Sequence, residues 1–267
     1  MKILVVIPAY NCAKQIGRVI EQFDKSISEL FHTVLVIDNN SKDNTYASAI
    51  DAFKKNPQIN SMVSINEQNY GYGGTLKTGF KYGIENGFDF LLILHGDDQG
   101  KVIDMVPYII DKSINHYDCT LGARFHPKSK LENYSWFRTF GNKVFNRIFG
   151  FFLKQKIFDL GSGINIYKLE SFKNKEFLYF TEDLTFDYCS MISHSYRSRK
   201  IRFIPITWSE DDQISNVKII SQSINTLKML ATYLLNKNKF MKTDKSLHKG
   251  LNYEINIVFN QKKFSSI

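Results

Sequence analysis

Four short apolar runs, separated by segments with helical spacing, constrain the fold more than any other feature of this sequence. The runs are KILVVIPAY, HTVLVIDNN, the weaker INSMVSIN and FDFLLILHG. Continuous rather than alternating apolar residues predict strands that are buried on both faces. After the first run, apolar residues recur with helical spacing at Ile16, Val19, Ile20 and Phe23. The alternation predicts an α/β fold: a mostly parallel, Rossmann-like central sheet with helices on both faces.

Polar side chains follow the predicted strands at the points where the strands end. Asn11, Asp38, Asn69 and Asp97 all occupy such positions. In open parallel sheets, ligands bind at the carboxyl ends of the strands. The sequence therefore predicts a ligand site at this edge.

Length and charge limit the classes of protein to consider. The 267 residues suffice for one large α/β domain or two small ones. The net charge of +9 favours anionic partners such as nucleotides, lipid phosphates, nucleic acid or an anionic membrane face. Nucleic acid is disfavoured, because the basic residues are scattered among strand-end acids.

The cysteines and the N-terminus predict a cellular location. Cys12, Cys119 and Cys189 are far apart, which fits a reducing compartment better than a disulfide framework. The apolar run before Pro8 is too short for a signal peptide, and no stretch approaches the length of a membrane span. We expect a cytoplasmic protein, or one held peripherally on the inner face of the cell membrane.

The second half of the chain is less regular. YDCTLGAR and KIRFIPITW predict strands, and NVKIISQSINTLKMLATYLL predicts a late helix. Residues 137–156 predict an amphipathic helix or helix pair with a phenylalanine-rich stripe and interspersed basic residues. Residues 236–250 are polar and lysine-rich, which suggests a solvated linker, and NYEINIVFN predicts a last edge strand.

The glycine-rich segment GYGGTLKTG does not match either of the two common phosphate-binding motifs. A dinucleotide fingerprint would follow the first strand, whereas this segment follows the third. A P-loop would require GK[ST], but Gly79 is followed by Phe80 and Lys81. On its own, the segment indicates only a flexible turn before a helix.

Taken together, four ordered segments resemble a known family. VVIPAYN, VIDNNSKDNT, NYGYGGTLKTG and LLILHGDDQG resemble the nucleotide-binding half of family 2 glycosyltransferases, which have the GT-A fold and invert the anomeric centre. GAR and RTFGNKVFNRIFGFFLKQKIFDLGSGINIYKLE resemble the branch that contains dolichyl-phosphate mannose synthases and polyprenyl-phosphate glycosyltransferases. The resemblance covers about residues 1–220 and implies a nucleotide-sugar-binding half at 1–104 and an acceptor-binding half at 105–235 of the same domain. The composition of 236–267 indicates a lysine-rich C-terminal extension.

The resemblance implies a set of donor-binding residues. The first loop would wrap the base, Asp38 and Asn40 follow the second strand where the family reads the base edge, and the glycine segment would lie beside the ribose and diphosphate. Cys12 and Asn39 depart from acids that the family often carries. Lys77 could alternatively be a surface lysine. The implied residues are Pro8, Tyr10, Asn11, Asp38, Asn40, Gly71, Gly73, Lys77 and Asp97.

The segment HGDDQG carries the implied metal site. Its His95, Asp97 and Gln99 match family positions that hold a divalent cation, Mn²⁺ or Mg²⁺, against the diphosphate. In an extended chain these three side chains would share one direction and Asp98 would point elsewhere. The alternative is a turn whose acids only cap the next helix.

The segment TEDLTFD matches the part of the family that supplies a general base. Asp183 is the candidate and Glu182 the second choice. A hydroxyl acceptor needs such a base, whereas a lipid phosphate is already anionic. In that case Asp183 would orient groups or cap the following helix.

Several charged residues are candidates for contacts with the acceptor or with phosphate, because guanidinium groups suit phosphate oxygens. Each could instead be a solvated surface charge. Trp208 to Lys218 occupies the place of a loop that covers the donor in relatives. The candidates are Arg124, Arg138, Asp159, Arg202 and Lys218.

The sequence thus predicts an inverting, metal-dependent glycosyltransferase. It would transfer a sugar from a nucleotide-sugar donor to a lipid phosphate or a glycan, in cell-surface polysaccharide or glycolipid synthesis. A catalytically inactive sugar-nucleotide-binding protein is the alternative. The phenylalanine-rich stripe of 137–156 would rest on a membrane surface, or else pack in the core.

Overall fold

Ten strands form the framework of the protein in a computed structural model that describes residues 1–211, 219–248 and 250–262. Eight of them build one central sheet, and β6 and β9 form a separate parallel pair. The strands are β1 (Ile3–Ala9), β2 (Thr33–Asp38), β3 (Ser61–Ile65), β4 (Phe90–Leu94), β5 (Cys119–Ala123), β6 (Lys130–Glu132), β7 (Ile164–Lys168), β8 (Ile201–Pro205), β9 (Thr207–Ser209) and β10 (Ile257–Gln261).

The central sheet has the strand order β10-β3-β2-β1-β4-β7-β5-β8. Strands β1 to β4 run parallel to one another, and β5 runs parallel to β8. The two exceptions are β7, which is antiparallel to both β4 and β5, and the edge strand β10, which is antiparallel to β3. The predicted mostly parallel sheet is confirmed. The sequence analysis did not identify β7, which joins the two groups of parallel strands.

The helices that cover this sheet lie on both of its faces. They are α1 (Ile16–Glu21), α2 (Lys25–Ser28), α3 (Thr45–Lys55), α4 (Gly71–Glu85), α5 (Val106–Ile110), α6 (Trp136–Leu153), α7 (Phe186–Tyr196), α8 (Ile219–Leu235) and α9 (Lys237–Lys242). Short 3₁₀ turns occupy Val102–Asp104, Ser113–His116, Leu169–Phe172 and Glu176–Tyr179.

Alternate residues of each buried strand feed two separate cores. In β1, Ile3, Val5 and Ile7 pack with helices α1, α3 and α5 on one face. Leu4 and Val6 point the other way and pack with helices α4 and α6 to α9. Because a strand alternates its side chains between faces, a continuous apolar run is what such a two-sided burial requires.

The C-terminal segment is part of the folded domain, which corrects its prediction as a solvated linker. Phe240 and Met241 of α9 are buried in the second core. Tyr253 is also buried, and β10 completes the edge of the sheet beside β3. The edge strand predicted from NYEINIVFN is therefore confirmed. Lys237, Lys239 and Lys242 of this segment are exposed, while Phe240 and Met241 pack inward.

A buried ion pair fastens this segment to the rest of the domain. The Nζ of Lys77, on α4, lies 2.6 Å from Oε1 of Glu182, and both side chains are almost completely buried. Tyr253 donates its hydroxyl to Glu182 Oε1 at 2.5 Å, and the backbone N–H of Leu247 donates to Oε2 at 2.6 Å. The two charges are thus paired and hydrogen-bonded, as burial requires.

We expect Lys77→Met to destabilise the protein by about 3–5 kcal/mol, because it leaves the Glu182 carboxylate buried without its cation. Lys81→Met is the matched control. Lys81 lies one turn further along α4 and pairs with the exposed Glu254, so its loss should cost less than about 1 kcal/mol. Urea unfolding measures both values. Equal costs for the two variants would contradict the assigned role of Lys77.

Candidate functional site

A small polar pocket opens at the carboxyl ends of β1 and β4. Its volume is about 120 Å³. The first turn of α4 closes one side, because Tyr72 reaches in from there. The structure thus brings together residues from three separate segments of the sequence. The lining residues are Pro8, Tyr10, Cys12, Tyr72, His95, Gly96 and Asp97.

The two neighbouring acids of this edge face different surroundings. Asp98 has a positive φ of 61° and pairs with Arg18, with Nε 2.8 Å from Oδ2. Gln22 and Lys101 both donate to its Oδ1 at 3.0 Å. Asp97 instead lines the pocket, where Oδ1 accepts a long 3.4 Å hydrogen bond from the N–H of Gln99. The chain turns here rather than staying extended, so backbone conformation and not strand alternation separates the two acids.

The predicted His95 ligand is at odds with the position of its ring. Its Nε2 lies 3.1 Å from the hydroxyl of Tyr72. Its Nδ1 lies against Gly163, where a Cβ would approach it to 2.8 Å. Burial lowers the pKa of His95, which favours the neutral ring. The imidazole is thus held by Tyr72 and by the start of β7, and binding a metal would require it to move.

The remaining predicted ligand, Gln99, is partly exposed, and its backbone carbonyl accepts a hydrogen bond from Ser209 at 3.0 Å. Within residues 1–211, 219–248 and 250–262, no three His, Cys, Asp or Glu side chains cluster closely enough to hold a metal ion. Among the described residues that line the pocket, Asp97 is the one carboxylate, so a cation held there by these residues would need further oxygens from a ligand.

A second polar layer lies behind the pocket and centres on Asp187, which the sequence analysis missed. The Tyr72 hydroxyl donates to Asp187 Oδ2 at 3.2 Å. While the single hydroxyl proton of Tyr72 goes to Asp187, the Nε2–H of His95 is the donor to the same hydroxyl oxygen. Burial raises the pKa of Asp187 to about 7. An acid inside the apolar helical pattern TFDYCSMI was the signal that could have identified it.

Arg124 and Asp159, both predicted to contact phosphate or the acceptor, bind each other. The guanidinium forms two parallel hydrogen bonds to the carboxylate, at 2.8 Å from Nε and 2.9 Å from NH2. NH2 also donates to the carbonyl of Gly161 at 2.5 Å. The arginine's charge is therefore largely used inside the protein, where it clamps the turn after Asp159 to the end of β5.

The loops after β1 and β2 are joined by their own polar side chains. The Asp38 carboxylate accepts from the N–H of Ser41 at 2.8 Å, and burial raises its pKa. Asn11 accepts from the N–H of Lys42 at 2.8 Å, and Asn40 donates to the carbonyl of Glu67 at 2.9 Å. Asn11 and Asn40 both adopt positive φ. Their contacts with the base of a nucleotide remain a prediction. The hydrogen bonds between these loops already hold the edge in place without a ligand.

Four predicted residues make ion-pair or close packing contacts inside the protein. Lys77 and Glu182 form a buried ion pair with each other. This pairing does not fit a diphosphate contact by Lys77 or a base role for Glu182. A Cβ at Gly71 or Gly73 would overlap the backbone carbonyls of Glu182 and Thr181. The glycines are thus needed because the chain at 181–182 crosses the first turn of α4 at very short range.

Asp183 is exposed in the turn before α7, where its Oδ1 accepts from the N–H of Thr185, the N-cap residue of the helix, at 2.8 Å. Arg138 is paired with Glu210 at 2.6 Å. Arg202 donates to Ser113 at 2.9 Å and stacks over Tyr108, near the start of β8 and away from the pocket. A phosphate contact by Arg202 therefore stays a prediction, and it would lie apart from the pocket. Lys218 lies outside the described residues.

The fold and this strand-end pocket define an α/β protein built to bind a ligand at the switch between β1 and β4. The sequence profile of Glycosyl transferase family 2 matches residues 4–174, more than half of the chain. The chain belongs to that family, and its fold is the GT-A fold that the sequence predicted.

Three known proteins illustrate the similarity. Polyprenol monophosphomannose synthase from Mycolicibacterium smegmatis is 24% identical over 212 residues, 78% of this chain and 77% of that protein. Dolichol-phosphate mannosyltransferase from Pyrococcus furiosus is 26% identical over 138 residues, 52% of this chain and 37% of that protein. Glucosyl-3-phosphoglycerate synthase from Mycobacterium tuberculosis, solved with Mn²⁺, UDP and glucosyl-3-phosphoglycerate, has a TM-score of 0.57 at 12% identity, covering 98% of this chain and 90% of that one.

Asp187 should make stability depend on pH. Its folded pKa of about 7 exceeds the ordinary value of 3.8, so the folded protein holds a proton that the unfolded chain releases between these values. The free energy of unfolding should therefore fall as pH rises from 4 to 7, and Asp187→Asn should remove that part of the slope. Urea titrations at several pH values measure the difference between wild type and variant.

Tyr72→Phe also tests whether Asp187 causes the pH dependence, because this variant should raise the pKa of Asp187 further. The Tyr72 hydrogen bond lowers the pKa of Asp187, so its loss should move the midpoint of the pH effect upward. An Asp187→Asn effect that is the same at pH 5 and pH 8 would contradict the assignment.

Proposed function

We propose that this protein is an inverting glycosyltransferase that transfers a sugar from a nucleotide-sugar donor to a lipid phosphate. The observation that carries the proposal is Asp97, a carboxylate that faces the pocket while its neighbour Asp98 is tied to Arg18. Membership of Glycosyl transferase family 2 supports the reaction class. The names of the polyprenol and dolichol-phosphate relatives support the lipid phosphate.

The residues of the pocket fit a divalent cation that is bound together with the donor. Mg²⁺ and similar ions are often held by one or two carboxylates, with the remaining oxygens coming from substrate phosphates and water. Asp97 would be the protein ligand. The cation would offset the charge of the diphosphate leaving group. The Mn²⁺ and UDP in the Mycobacterium tuberculosis structure support this arrangement.

The chain's own residues would orient the donor from two sides. Tyr10 is 43% exposed beside the pocket, a position suited to stacking against a flat base. Asp38 and the asparagine-linked loops form the adjacent rim, where the base and ribose would lie. Tyr72 and His95 would face the diphosphate or the sugar, and neutral imidazole adds no positive charge there.

The nature of the acceptor decides whether a base is needed. A phosphate oxygen is already anionic near neutral pH, so attack on the anomeric carbon needs no proton acceptor. A glycan hydroxyl would need one, and Asp183 is exposed, accepts a hydrogen bond from Thr185 and is not among the residues that line the pocket. The lipid phosphate is therefore the acceptor that this arrangement favours, and a glycan is the second candidate.

A membrane-facing surface would bring the enzyme to such an acceptor. Helix α6 splits its aromatic residues between two sides: Phe149 is completely buried, whereas Trp136, Phe137, Phe140 and Phe151 are all at least 60% exposed. The exposed basic residues of the same region are Lys143, Arg147, Lys154 and Lys156. Exposed aromatics combined with basic residues are typical of a helix that lies on an anionic membrane surface. In the described part of the chain, no helix is long and apolar enough to cross a bilayer.

Asp97→Asn should abolish most Mn²⁺-dependent binding of UDP and turnover of a nucleotide sugar. Loss of a charged metal ligand should weaken binding by at least about tenfold, since 1.4 kcal/mol corresponds to that factor. Asp98→Asn is the control, and its effect should stay within about threefold. Isothermal titration with UDP and GDP, with and without Mn²⁺, measures this. Equal losses in both variants would sink the assignment of Asp97.

Phe140→Ser combined with Phe151→Ser should release the protein from anionic vesicles without unfolding it, because both side chains are exposed. Wild type should bind, less strongly at high salt, since each basic group adds only about 1 kcal/mol near the surface. Tyr46→Ser, at an exposed aromatic on α3, is the control and should bind like wild type. Phe149→Ser should instead unfold the protein. Vesicle binding by the double variant equal to that of wild type would refute the membrane surface.

A further inference from the structure

The last two helices line a second and larger cavity, which is open to solvent and lies away from the pocket at the sheet edge. Helices α8 and α9 meet at Asn236, and Thr181 and residues 243–245 close the remaining side. The cavity has a volume of about 540 Å³. That size is within the range of sites that bind small molecules, about 300–1,000 Å³. It lies beyond the segment matched by the family profile, which ends at residue 174.

The walls of this cavity combine apolar surface with one sign of charge. Met229, Leu235 and Phe240 supply apolar surface. Leu235 is 88% exposed at the lip, an unusual position for a leucine in water. The charged side chains among its lining residues are Lys228, Lys239 and Lys245. No carboxylate is among these lining residues, although Asp244 is the neighbour of Lys245 in the chain.

Lys245 is held in place at the wall. Its Nζ donates to the carbonyls of Phe240 at 2.5 Å and Thr243 at 2.8 Å, and it lies 4.3 Å above the ring of Phe240. Lys228 and Lys239 are exposed and can swing toward a ligand. The cavity thus offers one held ammonium group, that of Lys245, and two exposed ones beside apolar side chains. This combination matches a ligand with a compact anionic head and an apolar tail.

We propose that this cavity binds a single-chain lipid monophosphate, with the chain against Met229, Leu235 and Phe240 and the phosphate among the three lysines. The site is separate from the reacting centre, and the proposal does not depend on the transfer reaction. Bound lipid would cover the exposed face of Leu235. It would also neutralise part of a positive patch that belongs to this chain's C-terminal helices.

Farnesyl monophosphate is the probe, titrated against the full chain without donor or metal and below the concentration at which it forms micelles. Farnesol and inorganic phosphate test the tail and the head separately, and both should bind at least about tenfold more weakly. Lysophosphatidic acid, with an acyl chain, tests whether the site selects isoprenoid lipids. Thermal shift and isothermal titration give the affinities.

Two variants address the cavity itself. Thr232→Trp fills it from the exposed face of α8, and Lys239→Glu reverses one charge of the rim. Each should weaken farnesyl monophosphate by about tenfold. The matched controls are Ala231→Trp on α8 and Lys242→Glu on α9, which do not line the cavity and should stay within about twofold of wild type. If Thr232→Trp fails to fold, Lys239→Glu still decides the question.

The outcomes separate this proposal from that of the reaction. Asp97→Asn should retain lipid binding even as it loses UDP. Absence of binding by wild type, equal binding of farnesol, or equal affinity in cavity and control variants would each overturn the lipid site. The results for the cavity and control variants would not bear on the donor site, whereas absence of lipid binding by wild type would also count against a lipid-phosphate acceptor.

Discussion

The buried pair of Lys77 and Glu182 is the interaction on which the arrangement of the rest depends. It joins α4, which starts at the carboxyl edge of the sheet, to the segment that leads into α7. Tyr253 and Leu247 bring the C-terminal segment to the same carboxylate. A buried pair of this kind contributes little net stability compared with an apolar pair, but it penalises every arrangement that leaves one charge alone. It therefore favours one register of α4 against the 181–182 crossing, and that register sets where Tyr72 points.

The chemistry of the edge follows from how charges are distributed behind the pocket. Arg124 lies close enough to influence Asp187, yet its hydrogen bonds go to Asp159. Asp187 therefore receives mainly the hydroxyl of Tyr72, which does not offset the cost of burial, and its pKa rises. The neutral His95 and the Tyr72 hydroxyl then form an uncharged wall opposite Asp97. Such a wall leaves Asp97 as the side chain of the pocket that attracts a cation.

Much of the fold and part of the site could be predicted from the sequence. Continuous apolar runs identified β1, β2 and β4, and the rule for parallel sheets indicated the edge where Asn11, Asp38 and Asp97 lie. The prediction failed where an answer depends on tertiary contacts. Lys77 has the sequence context of a surface or phosphate-binding lysine, and only the crossing of residues 181–182 shows that it is buried. In the sequence, Asp187 is only one polar residue of a predicted helix. Its environment depends on Tyr72, Arg124 and Asp159, which come from distant parts of the chain. The short, antiparallel β7 has no alternation strong enough to separate it from a loop.

The polar edge and the amphipathic surfaces of the domain come largely from different parts of the sequence. The segment matched by the family profile provides the strands and loops of the polar edge, and these are fixed by hydrogen bonds between loops that leave little freedom. Most of the later chain packs on one face only, through α7, α8 and α9. Because this face contacts the edge mainly through the first turn of α4 and through Asp187, helices α8 and α9 can acquire apolar and basic surface without changing the pocket. The exposed residues of α6 and the cavity of the last two helices both occur on this face, and both combine aromatic or aliphatic side chains with lysine or arginine. This separation of a polar edge from amphipathic surfaces is what the proposed acceptor would require, because a lipid phosphate is polar at one end and apolar at the other.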